Sequence, residues 1–355
     1  MNAPNDIRVM LVESATRLLR DHVDRKMLDA AKHEGWSPQL WRALDDAEFP
    51  RVSVPEEAGG AGGTLSDLAA VLRVAGRFAA PVPLAETAML AGWMLAASRL
   101  AVPRAPLAAG PVHGEPITAR RQGSRWLLSG TLARLPWART ASRLVLLAQS
   151  ATEAVVATVD PEQCRIAPGR NLAGEPRDDV VLEDTPTEQA AIAGAEVTRE
   201  ALRLRGALAR SILMAGALER ALELSIEHAQ QRVQFGRKIG QFQAIQHEIA
   251  RLGGEVAAAV AAALSAAGVM ERGGEVTLAV ASAKIRTAQA ARDGALIAHQ
   301  VHGAIGVTDE HALHHSTLRL WAWREEYGSE AEWAIALGQT IQERGAGSFW
   351  QTITA

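Results

Sequence analysis

The chain has 355 residues, a formal net charge of −3 and one cysteine, Cys164. The near-neutral charge gives no electrostatic pull toward nucleic acid or anionic lipid, and a lone cysteine excludes an internal disulfide framework or a multi-cysteine zinc site. The length allows two or three domains with ample cores.

Residues 1–104 read as helical. "DIRVMLVESATRLLRDHV" sets Val9, Leu11, Ala15, Leu18 and Leu19 at near-helical spacing, and the turn "EEAGGAGG" leads into a second helical stretch, "TLSDLAAVLRVAGRFA". The start, "MNAPNDIRVM", lacks the basic end and apolar run of a secretory signal, so cytoplasmic residence is the expectation. Between 105 and 187 the texture changes to short runs such as "RWLLSG", "RLVLLA" and "AVVATV" separated by turn residues, which predicts strands.

From 188 to 355 long amphipathic helices return, with Leu218, Leu222 and Ile226 four apart. "VAAAVAAALSAAGVM", from Val256, is too short and too rich in alanine to span a membrane and reads as a buried helix. Alanine at that density lets neighbouring helices approach closely, as in a bundle. The order is α, then β, then α.

Several catalytic signatures are missing: Gly-x-Gly-x-x-Gly after a strand, a Walker-type loop, a Gly-x-Ser-x-Gly elbow and His-Glu-x-x-His. His299, His302, His311, His314 and His315 cluster near Asp309 and Glu310, but without the spacing of a tetrahedral site with supporting carboxylates, so no metal is expected.

"RVQFGRKIGQFQAIQ", residues 232–246, reads as a helix interrupted by a short loop and resumed with Phe242, Ile245, Ile249 and Leu252 as an apolar stripe. Taken alone, Gly236 and Gly240 close the loop and Gln243 and Gln246 form a solvated face. The stretch also resembles, almost letter for letter, the Arg-x-x-Phe-Gly segment of the acyl-CoA dehydrogenase family. "VPEEAGGAGGTLSDLAAVLRVAGRFAAPVPLAE" is similar to that family's N-terminal helical domain, and "HQVHGAIGVTDEHALHHSTLRLWAWREEYGSE" to its C-terminal flavin segment and the loop after it.

The resemblance implies an α+β fold: an N-terminal helical domain (1–104), a middle β-barrel or sandwich (105–187) and a C-terminal four-helix bundle (188–355). It implies FAD as cofactor, an acyl-CoA substrate dehydrogenated at the α,β-bond in lipid catabolism, and an electron-transfer flavoprotein as acceptor. In the family the arginine matching Arg232 contacts the FAD pyrophosphate across a subunit interface, and residues matching Phe235 and Gln243 lie along the same cofactor. A guanidinium suits a pyrophosphate because it pairs in bidentate fashion. Gln300, Gly303 and Gly306 match a second FAD segment, with Ala304 in place of a glycine. A shared site implies a homodimer, a homotetramer or a heterotetramer with a second family chain.

The catalytic position departs from the family. Counting from Gln300 places Tyr327, Gly328 and Ser329 opposite the family's Glu-Gly-Thr, and the alternative site for the base aligns with Gly206. A phenol titrating near 10 does not replace a carboxylate base. Glu326 is one residue away and is the candidate base; Ser329 is a candidate cofactor contact. The family's flavin-facing Trp-Ile-Thr stretch is replaced by "RLPWA", leaving Trp137 to cover the ring or to join the core. Two readings follow: a complete dehydrogenase with a displaced base, or a degenerate subunit that supports FAD and assembly. A nonenzymatic flavin scaffold is a third.

Overall fold

Caps and glycines divide the first hundred residues into short helices. The computed structural model describes residues 3–112, 114–123, 125–345, 347 and 350, with side chains described from residue 6. The chain forms two compact units, Met1–Val71 with Pro81–Gly206, and Leu72–Ala80 with Ala207–Ala355.

In the first unit, α1 (Ala3–His22) is followed by α2 (Arg25–Glu34), whose N-cap Asp24 accepts from the Met27 amide at 2.7 Å. The next helix, α3 (Pro38–Asp46), begins on Ser37 with Pro38 in its first turn, where a missing N–H costs nothing. The glycine-rich turn is a packing device: a Cβ on Gly60 would fall inside the backbone of Val54. Thr64 and Asp67 then cap each other's amides at the start of α4 (Leu65–Arg77), and Asp67 also takes Arg8 at 3.1 Å. A π-helical turn, Glu86–Ala91, runs into α5 (Gly92–Ala97).

The strands are β1 (Leu107–Gly110), β2 (Ile117–Gln122), β3 (Arg125–Pro136), β4 (Arg143–Gln149), β5 (Ala154–Val159), β6 (Arg165–Ala167), β7 (Arg177–Pro186) and β8 (Gln189–Ile192). They form one mixed sheet in the order β6-β7-β3-β2-β4-β5-β8, with β1 parallel to β4. Its core is the buried set around Leu128, Leu132, Leu144, Leu146, Val155 and Val180. Trp137 belongs inside this unit: it is 3 % exposed, with φ 63°, and Arg177 lies 5.8 Å from its ring.

The second unit holds α6 (Arg199–Gln231) from Ala207 onward, a two-stranded hairpin of β9 (Val233–Gln234) and β10 (Arg237–Lys238), α7 (Gln243–Arg272), α8 (Val276–His302), α9 (Leu313–Trp323) and α10 (Glu330–Arg344). The last residues of α4 cross α6 at backbone contact. A Cβ on Gly216 would overlap the Arg73 carbonyl, and one on Gly76 the Leu213 carbonyl. Arg73–Glu219 and Arg77–Glu223 ion pairs, each 2.7 Å, flank that crossing. Gly294 of α8 likewise admits Leu218 and Leu252 from α6 and α7.

The expectation of a buried α7 holds on one face only. Leu252, Val256, Ala259, Ala263, Ala266 and Ala267 are buried, whereas Ala257, Ala258, Ala261 and Leu264 are exposed. Alanine on both faces hides this asymmetry from a periodicity reading. Among the described residues α7 is also the one helix long and apolar enough to cross a membrane, with a third of its most apolar window buried within the chain.

Candidate cofactor surface and acyl site

The insert after α6 is a hairpin with both central residues at positive φ, Phe235 at 52° and Gly236 at 78°. That pairing is the tight-turn geometry whose twist suits antiparallel strands. Arg232 starts the hairpin, and its carbonyl accepts from Ile239 N at 2.9 Å, which closes the base of the loop. The tip stands free of its own chain: Phe235 is 91 % and Val233 54 % exposed. Arg237 stacks on the Phe242 ring at 4.0 Å, and Phe235 meets the same ring edge-on at 6.2 Å. Gln243, the first residue of α7, is exposed beside them. No described residue forms an ion pair with the Arg232 guanidinium, so a cation sits at the root of an exposed aromatic hairpin.

The end of α8 is the second exposed segment. Gln300 is exposed, and Gly303 has φ 64° and ψ −148°, with nothing within 4 Å of an added Cβ. Only glycine adopts that backbone without strain. Gly306 is buried, and its Cβ would lie 2.8 Å from His302 Cβ. Ala304 is exposed, so the methyl that replaces a family glycine displaces nothing within the chain.

His228, near the end of α6, stacks on His302 at 4.6 Å between centroids, which brings the root of the hairpin and the end of α8 together. His311 meets His302 at 4.5 Å. Burial lowers the pKa of all three imidazoles, that of His311 to about 4, so they are neutral at physiological pH. Exposed backbone at glycine, an unpaired guanidinium and aromatic faces fit a diphosphate-linked cofactor that arrives from outside the chain.

The loop expected to carry the base is built differently. Between α9 and α10, Tyr327 is 5 % exposed with φ 57°, and its carbonyl accepts from Trp333 Nε1 at 3.0 Å. A bulky residue in that region of φ is strained and needs its surroundings to hold it. The Arg210 guanidinium lies 5.1 Å from the Tyr327 ring, and Arg210 Nε donates to Glu326 Oε2 at 2.6 Å. The side chains of Arg210 and Glu326 are 2 % and 13 % exposed.

Lys284 of α8, fully buried, donates to the Arg324 carbonyl at 2.7 Å and the Trp323 carbonyl at 3.4 Å, capping the C-terminal end of α9. Burial pushes its pKa down to about 7, against the opposing pull of Glu326 and Glu325. Ser329 is the N-cap of α10 in a capping box with Glu332. Glu325 and Glu330 both lie against Arg324, at 3.3 and 3.4 Å. Gly206 is buried in α6.

The candidate residues therefore form two sets. Arg232, Phe235, Gln243, Gln300, Gly303 and Gly306 gather at the His228 end of α6, and Glu326, Tyr327 and Ser329 at the Arg210 end. Eighteen residues of α6 separate Arg210 from His228, about 27 Å at 1.5 Å per residue. Sequence reasoning overlooked Arg210 and Lys284. Their signal was a single cation in each of two otherwise small and apolar helical stretches, "LARSIL" and "ASAKI".

Two models of known families match: acyl-CoA dehydrogenase, N-terminal domain, over residues 5–98, and acyl-CoA dehydrogenase, C-terminal domain, over 193–329. The chain is similar to the acyl-CoA dehydrogenase IpdE2 of Mycobacterium tuberculosis, 31 % identical over 315 residues that cover 88 % of this chain and 90 % of that protein. Its fold is similar to the ChsE4-ChsE5 complex from Mycobacterium tuberculosis, with TM-score 0.86, 23 % identity and coverage of 97 % and 98 %. It is also similar to the Tcur3481-Tcur3483 steroid ACAD, with TM-score 0.85, 26 % identity and coverage of 97 % and 99 %.

Proposed function

As the chain belongs to the acyl-CoA dehydrogenase family, whose cofactor is FAD and whose members are oxidoreductases of CH–CH groups, we propose that it is one of two unlike chains in a heteromeric acyl-CoA dehydrogenase. In this reading it supplies cofactor contacts and assembly surface, and a second family chain supplies the α-proton base. The observation that carries the reading is the loop at 324–329. A buried tyrosine stands at the position of the base, and the adjacent Glu326 carboxylate is committed to Arg210. A carboxylate held at 2.6 Å by a buried guanidinium is not free to move toward a substrate.

When bound, FAD would supply the hydride acceptor for the β-carbon of the acyl group. The residues proposed to hold it are those of the hairpin and the end of α8. Arg232 would pair with its pyrophosphate, Gly303 and Gly306 would allow close backbone approach, and Phe235, Gln243 and Gln300 would lie along the same cofactor. These residues lie about 27 Å along α6 from the base loop, so the hairpin serves the cofactor of a neighbouring chain, and a neighbour serves this one. The exposed alanine face of α7 is the matching assembly surface. The solved relatives named as complexes of two proteins support a heterotetramer over a homotetramer.

The substrate in this reading is the CoA thioester of a bulky acyl group, as the steroid relative's name and the altered loop suggest, with electrons passing to an electron-transfer flavoprotein. Best turnover on short straight chains would sink that assignment.

The test expresses the chain alone, records its flavin absorption and adds a panel of acyl-CoAs anaerobically. Flavin that is absent or never bleaches until a second family chain is co-expressed supports the subunit reading. Bleaching by the chain alone that disappears in Glu326→Gln establishes Glu326 as a displaced base and a complete enzyme.

A further inference from the structure

We propose that His228, His302 and His311 form a binding site for a first-row transition-metal dication such as Zn²⁺, pinning the root of the hairpin to the end of α8. Sequence spacing pointed only to the histidines between 299 and 315. The fold adds His228 from α6, and one ring nitrogen of each of the three residues lies within 4.8 Å of the others.

The chemistry of His302 is the stronger argument. Its Nδ1 lies 2.7 Å from the Ala298 carbonyl, an acceptor only, so Nδ1 carries the proton and Nε2 keeps its lone pair. Nε2 is buried with no hydrogen bond of good geometry, in a residue that is 5 % exposed, and the Leu224 carbonyl is the second backbone acceptor that acts on the ring. A backbone carbonyl that fixes one ring nitrogen so that the other can ligate is the usual support of a metal-bound histidine.

Three imidazoles and one water complete the four-coordinate site that zinc prefers. Zinc–nitrogen bonds of about 2.0–2.1 Å would set the nitrogens roughly 3.3 Å apart. Binding through Nε2 of His311 moves its proton to Nδ1 and opens the 3.2 Å contact from the Leu313 amide. Two guanidinium groups face the cluster. Arg220 beside His311 is paired with Glu223 and Glu227, and Arg232 lies beside His228. Their charge opposes any dication, and the all-imidazole donor set is what favours first-row transition ions over hard cations.

Co²⁺, whose visible d–d absorption reports coordination, is titrated into the untagged full-length chain, and thermal unfolding is followed with and without the ion. One equivalent per chain, a tetrahedral absorption band and a raised Tm are expected. Affinity should fall at least tenfold in His302→Gln and in His228→Gln, and remain unchanged in His247→Gln, an exposed histidine on α7. His228 is half-buried, so its variant keeps the test open if His302→Gln fails to fold. Co²⁺ binding that is equal in the wild type and in either cluster variant, or lost equally in His247→Gln, overturns the proposal.

Discussion

Glu326 shows how one ion pair decides what a residue does. Its partner Arg210 is almost wholly buried, so deleting either side chain alone strands a charge at low dielectric. Glu326→Gln and Arg210→Met should each lower stability by about 3 kcal/mol, whereas replacing both by apolar residues should cost much less. Urea denaturation of the two single variants and the double variant checks this; equal and additive losses would mean that the pair is not a unit. Lys284 makes a second prediction, with a sign. Its pKa falls from 10.5 to about 7 on folding. Between those values the unfolded chain keeps a proton that the folded chain has released, so stability from this group rises with pH across that window. Below about 7 the full cost of the buried charge persists. The stability difference between wild type and Lys284→Met should therefore climb by a few kcal/mol between neutral and alkaline pH and level off below neutrality. A pH-independent difference would show that Lys284 keeps the same pKa in the folded and unfolded chains.

At the scale of elements, glycines set which helices touch. Gly216 and Gly76 let α6 and the end of α4 meet backbone to backbone, so Gly216→Ala should destabilise by about 2–3 kcal/mol. Gly338→Ala, on an exposed turn of α10 with nothing near its Cβ, should stabilise by about 0.5–1 kcal/mol. Paired denaturant curves for the two variants test whether contact or backbone entropy governs each site. The same elements show what a sequence can disclose. Leu218 and Leu222 announced α6 through their spacing, and the short apolar run in "RLVLLA" announced β4. The break at Arg232 was legible through Gly236 and Gly240, but its hairpin form was not, because Phe235 is not a residue that positive φ favours. The ion pair of Arg210 with Glu326 joins residues 116 apart in sequence, and the His228–His302 stack joins the ends of two helices. Neither leaves a local pattern, so the candidate base and the histidine cluster could be understood only in the folded chain.

For the whole molecule, the separation of the two residue sets along α6 has a consequence for assembly. If the hairpin holds a neighbour's cofactor, Arg232→Ala should weaken FAD binding tenfold to a hundredfold, the worth of about 1.5–3 kcal/mol of charge-assisted hydrogen bonding. It should also shift the assembly toward smaller species, because the cofactor bridges chains. The Arg210 and Glu326 variants should leave flavin content unchanged while lowering stability, since they lie about 27 Å away along the same helix. Flavin absorbance per chain and sedimentation velocity, measured on the complex co-expressed with its second family chain, separate the two effects. Loss of flavin without dissociation would place the hairpin at the cofactor of its own chain. Dissociation without loss of flavin would make it an assembly contact alone. Only the joint loss is expected of a site built from two chains.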